Sequence, residues 1–344
     1  MHEILATACE KGASDIHVTV GSPIVFRMNG GLYKINDCPL SEEDVDSMAK
    51  SLMTDDMWQQ FQNTGDLDFS YLSRHATTDG RRFRISIYRQ RGNTALCIRI
   101  ISPKIPTIEE LGLPTVLLQL VQKSQGLFIV TGPTGSGKST TLAALIDYIN
   151  QTQTRHIITL EDPIEYVYEN KLSVINQREI GTDTESFAKG LRAALRQDPD
   201  VIMVGEMRDL ETISTAITAA ETGHLVLGTL HTVNAVQTID RVIDVFPPNQ
   251  QQQIRMQFAS VLVGIAAQRL LPTVDGKSRV AAVEVLINNP AVANLMRNGK
   301  THQIVNVMET SKMLGMQTME HAVKAYVNRR MVNEEVAKSV LLGA

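Results

Sequence analysis

Cysteine is scarce in this chain of 344 residues: Cys9, Cys38 and Cys97 are scattered, and none belongs to a C-x-x-C pair. An odd, dispersed set argues against a disulfide framework or a zinc site. It fits free thiols in a reducing compartment, most simply as small buried apolar residues. An excess of one charge is also missing. The formal net charge is −4, which gives no general pull toward nucleic acid or an anionic membrane, although such an average can hide a local basic patch. Long hydrophobic runs are absent. The longest, Phe258 to Ala267, is about half of the ~20 residues a membrane span needs. The opening Met1-His2-Glu3-Ile4 starts a charged, mixed helix and carries no signal-peptide pattern. Any membrane association is therefore expected to run through a protein partner. No long repeat and no disordered tract is present. What remains is 43% hydrophobic and 20% charged, the balance of a soluble globular protein with length enough for two domains.

Two regions differ in pattern. From residue 1 to 101 short strands and helices are mixed. Gly12 reads as a helix stop. Ile16 to Val20 and Ile24 to Met28 alternate, and Asn29-Gly30 is a hairpin signal. Ser41-Glu42-Glu43-Asp44 resembles a helix start with an acidic first turn. Asp66 to Tyr71, Arg82 to Arg89 and Ala95 to Ile101 alternate again. Helices on one face of an antiparallel sheet fit this order. Ser102-Pro103-Lys104-Ile105-Pro106 has two prolines and reads as an interdomain linker, 102–106. Thr107-Ile108-Glu109-Glu110 looks like a capping box opening a new helix. From about 126 onward strands alternate with helices. The strand candidates are 127–131, 156–160, 172–177, 200–205, 224–229 and 280–287, which predicts a largely parallel, covered sheet. Asn249 to Gln253 is a polar stretch within a helix pattern, and 289–344 reads as a helical C-terminal lobe. The expected fold class is α/β, with an N-terminal domain at 1–101, a second domain at 107–288 and the lobe after it.

Chemistry concentrates in Gly132-Pro133-Thr134-Gly135-Ser136-Gly137-Lys138-Ser139-Thr140. This fits the G-x-x-x-x-G-K-[S/T] phosphate loop. The apolar Leu127 to Val130 runs into it and Thr141 to Ile146 leaves it as a helix, the context the motif requires. The glycines let backbone N–H groups turn inward around a polyphosphate, and the helix N-terminus adds partial positive charge. Lys138 then reaches the β- and γ-phosphates, and Ser139 offers its hydroxyl to Mg²⁺.

Four further groups surround this reading. Asp200 to Glu206 is an apolar strand ending in a carboxylate, with Gly205 where many phosphate-loop enzymes place an Asp. Glu161, Asp162 and Glu165 crowd the end of another strand, and such carboxylates call for a cation nearby, unless they form a plain acidic surface turn. His224 and His231 bracket an apolar strand. Seven residues apart, they face opposite sides of an ideal strand and do not suit one shared metal, but an imidazole near the γ-phosphate would sense it. Arg81, Arg82, Arg84, Arg89, Arg91 and Arg99 crowd two N-terminal strands. They are either solvated surface or arginine fingers that complete a nucleotide site. A nucleic-acid patch is the weaker reading, because no aromatic row accompanies them.

With these blocks in place the chain resembles the secretion and pilus ATPase superfamily, and within it the type IV pilus retraction ATPases. The matching segments are Gly12 to His17, the phosphate loop, Leu160 to Glu165 (the family's aspartate box), Val204 to Asp209, Ala219 to Thr232 (its histidine box) and Gly315 to Thr318. The resemblance implies a PAS-like α+β N-terminal domain joined to a RecA-like ATPase domain. It implies a ring-shaped homohexamer with nucleotide held between the two domains. Arginines matching Arg82, Arg84 and Arg99 would reach the phosphates. Glu161 and Glu206 would act on the attacking water and on Mg²⁺, and the sequence leaves open which of them orients the water. His231 and His224, with Asp162 and Glu165, join the expected site.

The expected activity is ATP hydrolysis to ADP and phosphate, with Mg²⁺, and loss of the γ-phosphate letting the domains rotate about the linker. The expected partners are further copies of the chain, an inner-membrane pilus platform protein and, indirectly, the pilin fibre, with no nucleic acid. The expected location is cytoplasmic, at the inner face of the cytoplasmic membrane. Assembly and type II secretion ATPases usually carry an extra N-terminal domain, and many a four-cysteine zinc module, which favours retraction here. Ala291 to Arg297 departs from the retraction group's usual helix by lacking its first Arg. A nucleic-acid translocase is the alternative of another class, and a nucleotide-binding regulatory ring a third reading.

Overall fold

The computed structural model describes residues 1–28, 30–76, 78, 80–101 and 104–342. Asn29 of the expected hairpin, Ser102 and Pro103 of the expected linker, and the last two residues of the expected lobe lie outside the described residues. The chain divides into two compact units, Met1–Lys104 with Glu165–Val167, and Ile105–Ile164 with Tyr168 onward.

The first unit contains α1 (His2–Glu10), β1 (Asp15–Thr19), β2 (Val25–Met28), β3 (Gly31–Lys34), α2 (Glu42–Lys50), α3 (Asp55–Thr64), β4 (Asp66–Leu72), β5 (Arg82–Gln90) and β6 (Asn93–Ile100). Its strands form an antiparallel sheet in the order β3-β2-β1-β6-β5-β4. Period-two alternation sorts the faces. Ile16, Val18, Phe26, Phe83, Ile85, Ile87, Leu96 and Ile98 are buried together with Leu5, Val45 and Phe61 from the helices. Register aligns Arg27, Asp15, Arg99, Arg84 and Ser70 in one row across the sheet. The start of α2 is a reciprocal capping box: Ser41 Oγ accepts from the Asp44 amide, and Asp44 accepts from the Ser41 amide.

The second unit begins with a correction. Thr107 and Glu110 do exchange capping-box hydrogen bonds, at 3.0 and 3.2 Å. They close a turn and no helix, because Gly112 follows with φ +65° and Pro114 cannot donate. The first helix of this unit is α4 (Val116–Leu120). Then come β7 (Gly126–Thr131), α5 (Lys138–Thr152), β8 (His156–Glu161), β9 (Val174–Glu179), α6 (Phe187–Ala194), β10 (Val201–Val204), α7 (Leu210–Glu221), β11 (Leu225–Leu230), α8 (Ala235–Asp244), α9 (Pro248–Val261), β12 (Leu262–Pro272), β13 (Arg279–Ile287), α10 (Pro290–Arg297), α11 (Ile304–Thr310), α12 (Met319–Asn328) and α13 (Glu334–Leu342).

The sheet runs β13-β12-β7-β11-β10-β8-β9, parallel from β12 to β9, with β13 antiparallel on β12. β7, β10 and β11 are buried at every position, as parallel strands covered on both faces must be. Strand β12 is absent from the sequence-based strand candidates. The apolar run Phe258 to Ala267 spans two elements: its first residues end α9, and from Leu262 it is strand. A run apolar on every side has no period to separate the two. Leu271 of β12 and Ala282 of β13 pack with Met319, Ala322 and Val323 of α12 and with Ala337 of α13. Among the described residues no helix is long and apolar enough to cross a membrane.

Candidate nucleotide site

The phosphate loop joins the C-terminal end of β7 to the N-terminal end of α5. Three glycines permit its shape. Gly132, Gly135 and Gly137 have φ of +145°, +76° and +89°, values that side chains strain to adopt. At Gly132 space forbids a side chain as well, since a Cβ there would stand 2.2 Å from the Gln268 carbonyl oxygen and 2.7 Å from Ser136 Oγ. Pro133, Thr134, Gly135 and Ser139 are exposed, so the loop's outer surface is open. Lys138 is buried, and its Nζ donates to the Gly132 and Pro133 carbonyls at 2.9 and 3.1 Å. The ammonium is thus folded over the loop that it would serve.

Register orders the other side chains along the carboxyl edge of the parallel strands, where open α/β sheets place their ligands. Leu230 of β11 pairs with Thr131 of β7, Val204 of β10 with Gly228 of β11, and Leu160 of β8 with Val204. His231, Glu206 and Glu161 therefore follow the loop in that order. With adjacent strands ~4.8 Å apart, β10 lies about 10 Å and β8 about 14 Å from β7. Thr131 Oγ1 donates to the Thr232 carbonyl at 2.7 Å and ties the loop's strand to the end of β11.

Glu206 is held from two directions. His231 Nε2 lies 2.5 Å from its Oε1, and Arg208 Nε donates to the same oxygen. An ionised carboxylate only accepts, so His231 carries a proton on Nε2. Neither contact uses Oε2. Asp209, a little further on, caps α7 through the Thr212 amide and hydroxyl at 2.8 and 2.7 Å. Burial opposes the charge of Asp209, but these bonds hold its carboxyl below the usual range. Glu161 is buried, and its Oε1 accepts from Thr159 Oγ1 at 2.7 Å and Gln177 Nε2 at 3.0 Å.

Some expected site residues stand apart. His224 precedes β11 at the opposite end of that strand, next to the start of β7, where Gly126 donates to its carbonyl. Seven residues at ~3.3 Å each put it about 23 Å from His231. Its Nδ1 lies 2.9 Å from the Ala219 carbonyl at the end of α7. The structure thus places His224, expected at the nucleotide, at the end of β11 away from its own chain's loop. The aspartate box divides as well: Glu161 and Asp162 belong to the second unit, and Glu165 groups with the first. Arg82, Arg84 and Arg99 all lie on the first unit's sheet. Arg99 Nε donates to Asp15 Oδ1 at 2.9 Å and Arg82 Nη2 to Ser70 Oγ at 2.8 Å. Arg84 has no ion-pair partner among the described residues.

Sequence reasoning missed Gln268 on β12. Its carboxamide is buried, donates from Nε2 to the Ser136 carbonyl at 2.7 Å and accepts at Oε1 from Thr141 Oγ1 at 2.7 Å. Its signal in the sequence is slight: a polar pair, Gln268-Arg269, directly after the apolar run Phe258 to Ala267, which carries no strand period.

The residues fit a magnesium nucleotide. The cradle is one that a Cβ would fill, its lysine is in place, and the Ser139 hydroxyl and the Glu206 carboxylate are the hard oxygen donors that Mg²⁺ takes. Known proteins resemble the chain over nearly its whole length. The chain is 44% identical over 336 residues to the "Type IV pilus retractation ATPase PilT" of Pseudomonas aeruginosa, covering 98% of this chain and 96% of that one. It is 45% identical to the "Twitching motility protein" of Neisseria gonorrhoeae, over 91% of this chain and 83% of that one. The solved structure "Crystal Structure of the Pilus Retraction Motor PilT and Bound ADP" superposes with a TM-score of 0.91 at 48% identity, covering 98% of this chain and 96% of that one. A family model described as "Type II/IV secretion system protein" matches residues 1–341, and the chain belongs to that family.

Proposed function

We propose that this chain is an ATP-hydrolysing motor that powers type IV pilus retraction. The observation that carries the reading is the carboxyl edge of the second unit's sheet, where the phosphate loop, His231 and Glu206 follow one another on successive strands. Similarity over nearly the whole chain to relatives named for pilus retraction and twitching motility supports the output.

Residues 132–140 bind the triphosphate, with loop amides and Lys138 on the phosphates. Ser139 and Glu206 would hold Mg²⁺, which supplies positive charge at the phosphate oxygens when bound. Glu206 orients the attacking water, a role its position supports over Glu161: β10 is nearer the loop than β8, and Oε2 is outside both contacts. Thr159 and Gln177 hold Glu161 in a buried setting suited to supporting charge. His231, bonded to Glu206, links the presence of the γ-phosphate to the end of β11. Arg84, with Arg82 and Arg99, supplies positive charge to the transferring phosphoryl group, an effect worth on the order of 10³-fold or more in comparable enzymes. The working form is a homohexamer in the cytoplasm, held at the inner membrane face by a pilus platform protein.

Deletion of the gene in its host tests the output. Surface fibres that accumulate while twitching stops support retraction. Fibres that vanish assign the chain to assembly.

A further inference from the structure

We infer that Gln268 is a positioning residue for the phosphate loop, holding it open for the nucleotide from the neighbouring strand. The inference rests on the ATPase reading.

A phosphate loop has few contacts of its own. Its glycines lack side chains, its outer residues are exposed, and its own bonds (the Ser136 amide to the Pro133 carbonyl at 3.2 Å, Lys138 Nζ to the Gly132 and Pro133 carbonyls) use donors that a phosphate would claim. Something outside the loop must then fix its shape. Gln268 does so from β12, the strand next to β7. Its backbone carbonyl occupies the space beside Gly132 at the loop's entrance. Its Nε2 donates to the Ser136 carbonyl within the loop, and the same nitrogen would stand 2.8 Å from a Cβ on Gly137. Its Oε1 accepts from Thr141 in the first turn of α5. One side chain thus meets the entrance, the turn and the helix that follows.

The chemistry is specific to a carboxamide. The Ser136 carbonyl needs a donor and the Thr141 hydroxyl an acceptor, so neither a carboxylate nor an ammonium serves both. The bond at Ser136 also turns that carbonyl toward β12. A peptide group whose carbonyl is held to one side presents the following amide to the other, and here the following residue is Gly137, just before Lys138. In the next position of β12, Arg269 Nη1 donates to the Val340 carbonyl of α13 at 3.0 Å, so the strand is anchored beyond the loop as well.

The test uses the full-length protein with Mg²⁺ and a fluorescent ADP analogue. Gln268→Met keeps length and removes both hydrogen bonds. With two buried hydrogen bonds gone, ADP should bind on the order of tenfold or more weakly and KM for ATP should rise with it. The kcat should stay within about twofold, because ground state and transition state lose the same support. A purely structural role would instead lower the active fraction, and so kcat, with KM unchanged. Thr141→Val removes one bond and leaves Gln268 in place. It should weaken ADP binding less, and adding it to Gln268→Met should cost nothing further, since the bond is already gone. If Gln268→Met does not fold, Thr141→Val alone decides: KM and ADP affinity equal to wild type overturn the inference. So do unchanged binding in Gln268→Met and additive losses in the double variant. Absence of turnover in the wild type would count against the ATPase reading, and altered ADP binding would still report on Gln268.

Discussion

His231 Nε2 lies 2.5 Å from Glu206 Oε1, joining the ends of neighbouring strands β11 and β10 beside the phosphate loop. Glu206→Gln keeps the shape of this contact and removes the charge. We expect ADP affinity within a few-fold of wild type and ATP turnover reduced by 10² or more, since a carboxamide is a poor acceptor for the water's proton. His231→Ala should lower turnover less, because Arg208 still holds Glu206. Stopped-flow binding and steady-state phosphate release separate the two effects.

Gly132→Ala tests the cradle. A Cβ would stand 2.2 Å from the Gln268 carbonyl, in a backbone region costly for alanine. Relief must come from moving β12 or the loop, and we expect a loss of about 1–3 kcal/mol in stability together with weaker nucleotide binding. Gly135→Ala, with nothing within 4 Å of the added carbon, should cost only its φ strain. Equal effects at the two sites in urea unfolding would refute the close approach.

The arginines are distinguishable. Arg84→Ala removes a guanidinium with no ion-pair partner among the described residues and should lower kcat at least tenfold with stability unchanged. Arg99→Ala also removes the nearer of two guanidinium groups from buried Asp15, leaving it Arg27 at 4.0 Å and the Ser14 hydroxyl at 2.9 Å. It should cost stability as well, and Asp15→Asn should partly restore it. Unchanged kcat in Arg84→Ala would remove that residue from the site.

Glu284 on β13 sets a pH dependence. Burial pushes its carboxyl up, against the Ala235 and Met319 amides that donate to it at 2.8 and 3.2 Å and the charge of Arg269. The folded chain therefore holds this proton more tightly than the unfolded chain. The associated stability is fully present below the ordinary glutamate value and is lost as pH rises through the raised folded value. Glu284→Gln cannot titrate. Its urea midpoint should change less between acid and neutral pH than that of wild type, and an equal change in both would contradict the assignment.

Much of this was legible in the sequence for physical reasons. The loop announces itself because its glycines and lysine serve phosphate at fixed spacing. β5 is visible because Phe83, Ile85 and Ile87 alternate with Arg82, Arg84 and Ser86. β12 was not visible, since an apolar run that ends the inner face of one helix and begins one buried strand carries no single period. Gln268 was hidden with it. The sequence shows His224 and His231 bracketing one strand, and only the parallel order of the sheet tells that His231 stands at its carboxyl edge and His224 at the other end. The Thr107 and Glu110 box formed as its residues dictate, but a local cap does not create a helix when Gly112 and Pro114 follow.

The most direct measurement is ATP turnover by the purified full-length chain with Mg²⁺, beside Lys138→Ala. We expect phosphate release by the wild type and none above background in the variant, with both proteins giving the same far-ultraviolet circular dichroism and thermal midpoints within a few degrees. Equal turnover in the folded variant, or none in either protein as an assembled ring, would contradict the account.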